Sequence, residues 1–255
     1  MSIAWSGGFV VEIWAHRGAS ADAPENTLVA FAKAIEVGAD GIEFDVQLSS
    51  DGQPVVIHDE TLARTTTGSG WVKDHSLAEL SALDASGGRE GFAGVRIPQL
   101  AEVLELVAPT KVKINIELKN SEVAYPGMEE IVLAAVAAAG LSERVIYSSF
   151  SHDSVRRLAT LAPLAEVALI YSRPLARPFR TADSLGACGV HPDRRLLPGA
   201  SWVERAHRHR LAVRPWVANS PSRMRRLISA GVDGFFTDVP AVALAVRDDA
   251  AKTKG

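Results

Sequence analysis

Residues 41–58 read GIEFDVQLSSDGQPVVIH, and the number of crossover-linked strands in the chain turns on them. Gly41–Leu48 and Val55–His58 are both strand-like runs, yet only LSSDGQP, residues 48–54, separates Gln47 from Val55. A parallel crossover needs about a dozen residues or more, usually a helix. Asp51-Gly52 is instead a hairpin signal, because glycine tolerates the positive φ of a tight turn. Val55–His58 therefore reads as the return arm of a hairpin built on the preceding strand.

Outward from this stretch, short apolar runs recur at Val10–Ala15, Lys113–Leu118, Val145–Ser148, Glu166–Tyr171, Ala187–His191, Leu211–Trp216 and Gly234–Thr237. Most are nearly continuous, as expected of strands buried on both faces. With Gly41–Leu48 they make eight crossover-linked strands, the number that closes a barrel. Helix-period segments fill the gaps. In LVAFAKAIEVG, from Leu28, the residues Leu28, Phe31, Ala32 and Ile35 share a face, and Gly38 can end the helix. Further helices are expected over Ser76–Leu83, Leu100–Val107, Met128–Ala139, Ser151–Ala159, Ser201–His209 and Ser220–Ala230. The predicted class is α/β, a (β/α)8 TIM barrel with a small loop-rich insertion after the second strand. A single domain is expected over residues 1–250, including an insertion at 46–98, with a flexible tail at 251–255. The part of the insertion from Asp59 to Pro98, rich in glycine and hydroxyl residues, reads as a substrate lid or as a solvated excursion.

The composition narrows the function classes. A net charge of -3 argues against a nucleic-acid surface, which needs a positive field. No stretch approaches the roughly 18 apolar residues of a membrane span, and the N-terminal residues show no basic, then apolar, leader pattern. Cys188 is the single cysteine, so no internal disulfide forms. It reads as a small buried hydrophobe, and a reducing, cytoplasmic compartment is expected.

In a barrel of this kind the active site lies at the C-terminal ends of the strands. Those ends carry His16-Arg17-Gly18, Glu43 and Asp45, His58-Asp59, Glu117 and Lys119, and Thr237-Asp238. Glu43 and Asp45 are two residues apart on a strand and so share a face. Like charges held together resist joint ionisation, and a hard cation with a taste for oxygen ligands resolves the conflict. Glu117 is placed for a third ligand, while Phe44 and Ile116 would face the helices. A salt-bridged pair beside Arg17 or Lys119 is the alternative reading of the same carboxylates. His16 and His58 can form an acid/base pair, since imidazole titrates near neutral pH; hydrogen-bonded rim roles are the alternative. Arg17 and Lys119 supply positive charge suited to a phosphate. Trp216 can wall an apolar portion of a ligand or simply pack at the rim. His191 is a lesser candidate for lining the pocket, and His207 and His209, within RAHRHR, read as a solvated face.

These residues come in an order that resembles the glycerophosphodiester phosphodiesterases. The resemblance runs through AHRG at residues 15–18, APENT at 23–27, GADGIEFDVQLSSDGQPVVIHDETLARTT at 38–66, RIPQL at 96–100, NIELK at 115–119, SSF at 148–150 and GVDGFFTDVP at 231–240. It covers nearly the whole chain. It implies a β/α barrel and one divalent cation, Mg²⁺ or Ca²⁺, with Mn²⁺ as a further candidate. It implies a small-molecule glycerophosphodiester substrate, cleaved to sn-glycerol 3-phosphate and an alcohol; because the glycerol C2 hydroxyl adjoins the phosphoester, a cyclic phosphate intermediate is the expected route. By the same resemblance His16 and His58 are the acid/base pair, and Glu43, Asp45 and Glu117 hold the metal. Arg17 and Lys119 then contact the phosphate or organise the site. The chain departs from the family's usual WTVN with Trp216-Val217-Ala218-Asn219, which removes a rim hydroxyl. A lysophospholipase D-like activity on the same barrel and a non-catalytic phosphodiester-binding role are the competing expectations.

Overall fold

The computed structural model describes residues 10–252. Residues 1–9 and 253–255, which include the segment read for a leader and the end of the expected tail, lie outside the described residues. The strands are β1 (Glu12–His16), β2 (Gly41–Leu48), β3 (Pro54–Val56), β4 (Lys113–Leu118), β5 (Val145–Ser149), β6 (Glu166–Tyr171), β7 (Gly189–Pro192), β8 (Ala212–Val213) and β9 (Gly234–Thr237). The helices are α1 (Leu28–Glu36), α2 (Leu77–Ser81), α3 (Leu100–Val107), α4 (Met128–Ala138), α5 (His152–Leu161), α6 (Pro178–Leu185), α7 (Ala200–Arg208), α8 (Pro221–Ala230) and α9 (Pro240–Lys252).

Eight strands pair in the order β8-β7-β6-β5-β4-β2-β1-β9, and β3 hangs off β2 alone. The β2–β3 pairing is antiparallel, with Val46 opposite Val56, and Gly52 turns the hairpin at φ +74°. The other strand pairs are parallel. β8 is far shorter than the run Leu211–Trp216 that announces it. Beyond it the chain still closes the barrel through single backbone bonds: the amide of Asp233 donates to Val213, that of Phe236 to Pro215, and that of Ala218 to Phe236. Pro215 has no N–H for a ladder, which fits the early end of the strand.

Strand alternation sorts the side chains. Ile13, Ala15, Ile42, Phe44, Val46, Ile114 and Ile116 join the large core between strands and helices, as expected for Phe44 and Ile116. The opposite parity points into the barrel, where Trp14, Ile146, Ala168 and Phe236 form a separate apolar layer. α6 and α9 complete the helical ring, although neither is expected from the sequence periodicity. α6 carries the signals all the same: Pro178 in its first turn, Phe179, Ala182 and Leu185 buried, and Gly186 left-handed at its end. α9 runs on through Lys252, two residues into the segment expected as a tail.

The segment after β3 is not a solvated excursion. Val55, Ile57, Leu62, Val72, Leu80, Ala85 and Ile97 build a small core of their own beside the barrel. Its helix α2 starts in a capping box between Ser76 and Glu79.

Candidate active site

The register of the central strands assembles the rim. His16 lies opposite Glu43, and Glu43 opposite Asn115 and Asp45 opposite Glu117. Glu43, Asp45 and Glu117 each offer an oxygen within 4.8 Å of the others. Burial pushes the Glu43 carboxyl well above the usual range, and the neighbouring charges of Asp45 and Glu117 push it further. Glu117 is raised for the same first reason, burial, against the pull of Lys119. Burial also works to raise Asp45, but positive charge from His58, Arg17 and Lys119 and a hydrogen bond from Asn26 outweigh it and hold it low. Two carboxyls forced up and one held down mark a compact acidic cluster whose members cannot all ionise at once without a compensating charge. Three hard oxygen donors with these spacings can hold a divalent cation such as Mg²⁺, Ca²⁺ or Mn²⁺.

The loop between β1 and α1 brings the positive charge. Arg17 takes φ +56°, which turns its amide onto Glu43 Oε2 at 2.9 Å. Its guanidinium binds Glu25 Oε1 at 2.7 Å and approaches Asp45 at 3.5 Å. Gly18 follows at φ +82°, packed so closely on α1 that a Cβ would stand 2.7 Å from Ala30. Asn26 does not cap α1. It donates to Asp45 Oδ2 at 2.9 Å and accepts from the Asp45 amide at 3.3 Å, fixing that carboxylate's orientation. The cap is Thr27, whose hydroxyl accepts from the Ala30 amide.

Each rim histidine is gripped at Nδ1 by a carboxylate: His16 by Asp238 at 2.7 Å and His58 by Asp59 at 2.6 Å. Both grips are supported in turn. Asn219 and Ser20 donate to Asp238. Arg64 binds Asp59, whose carboxyl is held down at about 2, chiefly by that arginine's hydrogen bond. Lys119 Nζ lies 3.2 Å from Glu117 and 3.3 Å from His58 Nε2. Gln47, fully buried, donates to the carbonyls of Ile57, His58 and Asp59, while Tyr125 donates to its Oε1 at 3.0 Å.

Beside the acidic cluster opens a cavity of about 190 Å³. His16, Arg17, Glu43, His58 and Glu117 stand on one side of it, and Phe150, Ile170, Trp216, Val217 and Phe236 on the other. Trp216 meets Phe150 edge to face at 5.8 Å and donates from Nε1 to the His191 carbonyl, so it packs at the rim and lines the cavity too. Val217, where the threonine of WTVN would stand, also lines it. His191 lies at the floor, with burial holding its imidazole neutral.

The structure thus brings together His16, Arg17, Glu43, Asp45, His58, Glu117, Lys119 and Trp216. Asp59 and Asp238 appear in the sequence as rim groups but without partners, and Asn26, Gln47 and Phe150 carry no local signal of their work, since their partners lie on other strands. Two other expectations change. His207 is no solvated group: it binds Asp233 at 2.9 Å, and that carboxylate also takes the Val213 amide. Cys188 is half-buried, its sulfur exchanging contacts with the Val167 backbone, and burial raises its thiol.

Comparison with known proteins gives the site its context. The model of the glycerophosphoryl diester phosphodiesterase family matches residues 16–242. The chain is 46% identical over 228 residues to a glycerophosphodiester phosphodiesterase of Caldanaerobacter subterraneus subsp. tengcongensis, covering 89% of this chain and 93% of that protein. It is 41% identical over 246 residues to one of Bacillus altitudinis, covering 94% and 99%. Among solved structures, a phosphodiesterase of Oleispira antarctica in complex with the product sn-glycerol-3-phosphate superposes with a TM-score of 0.84 at 30% identity, covering 94% of this chain and 97% of that one. The matched span holds every group of the rim from His16 to Asp238, and the chain belongs to the glycerophosphoryl diester phosphodiesterase family.

Proposed function

We propose that this protein hydrolyses glycerophosphodiesters to sn-glycerol 3-phosphate and an alcohol. The observation that carries the reading is the pairing, within one cavity, of a three-carboxylate cluster with two carboxylate-gripped histidines. Glu43, Asp45 and Glu117 hold one divalent cation, Mg²⁺ or Ca²⁺ in the first instance with Mn²⁺ as a substitute. When bound, it supplies Lewis-acid stabilisation of negative charge on the phosphoryl oxygens.

His16 and His58 then act as the acid/base pair. With Nδ1 of each ring held by Asp238 or Asp59, Nε2 is the nitrogen that serves substrate, and that of His58 is shared with Lys119 Nζ at 3.3 Å. One ring accepts the proton of the glycerol C2 hydroxyl as that oxygen attacks phosphorus. The phosphorus–oxygen bond to the alcohol breaks, and the other ring gives the departing oxygen a proton. The attack is intramolecular, so most of its entropy cost is already met. Water next opens the cyclic phosphate with the two rings exchanging roles, leaving glycerol 3-phosphate. Arg17 and Lys119 balance the charge of the phosphate, and Trp216 with Phe150 forms an apolar wall for the organic part of the substrate. A cytoplasmic setting goes with the single half-buried cysteine, and among the described residues no helix is long and apolar enough to cross a membrane.

The test is release of glycerol 3-phosphate from glycerophosphocholine and glycerophosphoethanolamine by metal-stripped protein, with each cation added back. Metal-restored release supports the reading. Cleavage of a lysolipid with neither glycerophosphodiester cleaved would replace it with a lysophospholipase D-like activity.

A further inference from the structure

The segment between β3 and α3 contains two arginines whose side chains reach groups that support the site. Arg64 Nη1 and Nη2 grip both oxygens of Glu25, each at 2.8 Å. The same guanidinium binds both oxygens of Asp59 through Nε and Nη2. Glu25 is the carboxylate that holds Arg17, and Asp59 the one that holds His58. Arg64 therefore links these two halves of the site directly: His58, Asp59, Arg64, Glu25 and Arg17 form an unbroken chain of contacts. Arg89, farther along the segment, donates to the carbonyls of Ser20, Ala21 and Ala23, the backbone of the loop that follows His16 and Arg17.

The electrostatics give this link a purpose. Glu25 and Asp59 are two carboxylates facing one cation. Without that cation they repel, and each is free to swing away from the group it orients. Arg64 is itself 47% exposed, and exposed ion pairs add little to stability. A bidentate grip at both ends instead fixes geometry, and displacing a reacting group by about 1 Å can cost 10²-fold in rate. Burial of the small core (Leu62 and Leu80 fully, Ala85 nearly so) holds the segment against the barrel, so the guanidinium projects from a fixed support.

We propose that Arg64 is a positioning residue for the reaction, setting His58 and Arg17 at a fixed separation, and that the segment from Asp59 to Pro98 is a rigid brace anchored to the first loop by Arg89. The proposal rests on the glycerophosphodiesterase reading of the same site. The test compares Arg64→Ala, Arg64→Lys and Arg89→Ala with the wild-type enzyme under saturating cation. Wild-type release of glycerol 3-phosphate establishes the reading itself, so a silent wild type would count against that reading and not against the brace. For Arg64→Ala, kcat is expected to fall about 10–100-fold with unchanged cation stoichiometry, and millimolar guanidinium should restore part of it. Arg64→Lys, which keeps the charge and loses the fork, should fall in between; Arg89→Ala should lower kcat by several-fold. In a measurement independent of turnover, the downfield imidazole N–H signal assigned through His58→Ala should weaken or vanish in Arg64→Ala. A kcat within twofold of wild type in Arg64→Ala with that signal intact would overturn the proposal. So would a loss that tracks thermal unfolding and does not respond to guanidinium.

Discussion

The two ends of the barrel treat buried charge in opposite ways. At the end where β1 and β6 begin, Arg214 is buried across the axis, 5.6 Å from the Trp14 ring, bound to Glu166 and close to Glu12. Lys113 also pairs with Glu12, so two cations meet two carboxylates that keep partial access to water, and the group is balanced from within. At the other end Glu43, Asp45 and Glu117 crowd together, and burial with mutual repulsion raises two of their three carboxyls. The first arrangement completes itself and serves the fold. The second is completed only by something added, and this excess of like charge is what marks a binding site.

The contrast breaks most visibly through activity. Glu117→Gln or Glu43→Gln should lower turnover by about 10³-fold or more, since each removes a charge from the cation's shell. His16→Ala and His58→Ala, at unchanged cation loading, should each cost about 10²–10⁴-fold. Arg214→Met should leave kcat of the folded enzyme within about twofold while destabilising it by about 2–4 kcal/mol, read by urea unfolding, because it takes the cation from Glu166 and leaves Glu12 with Lys113 alone. If Arg214→Met silenced the enzyme without unfolding it, the division of labour between the two ends would be wrong.

A smaller effect sharpens the comparison. A carboxyl whose folded pKa is raised binds its proton more tightly in the folded state. Its ionisation therefore weakens folding as pH rises from the unfolded value, about 4.3 for glutamate, through the raised one. Metal-free protein should lose stability over that range, and Glu43→Gln should recover part of it, melting a few degrees higher than metal-free wild type at pH 7. Cation should raise the melting temperature of wild type and do so far less for the variant. Equal melting of the two metal-free proteins would remove the claim of stored repulsion.

Only the acidic half of this contrast was legible in the sequence, and Arg214 with its partners was not. Glu43 and Asp45 stand two apart in a strand, so period alone puts them together, and LSSDGQP is too short to be anything but a hairpin. The strand count, and with it the barrel, follows. What the sequence withheld was long-range pairing. Nothing local joins His16 to Asp238 or Arg64 to Glu25, because these contacts depend on which strand ends become neighbours when the barrel closes. Asn26, two residues before α1, gives no local sign of its partner, and only the placement of β2 shows it turned to Asp45. Arg89, amid ASGGREGFAG, looked like loop chemistry; its partners are backbone carbonyls, which leave no trace in sequence. β8 ended early because the bonds closing the barrel pass through the irregular segment around Pro215.

The most direct test is calorimetric titration of metal-stripped wild type and Glu117→Gln with Mg²⁺, Ca²⁺ and Mn²⁺, followed by assay of the same samples for glycerol 3-phosphate release. The account predicts one cation per chain in the wild type, release that rises with occupancy, and loss of both in the variant. Full release by protein holding no cation, or equal binding by the variant, would contradict it.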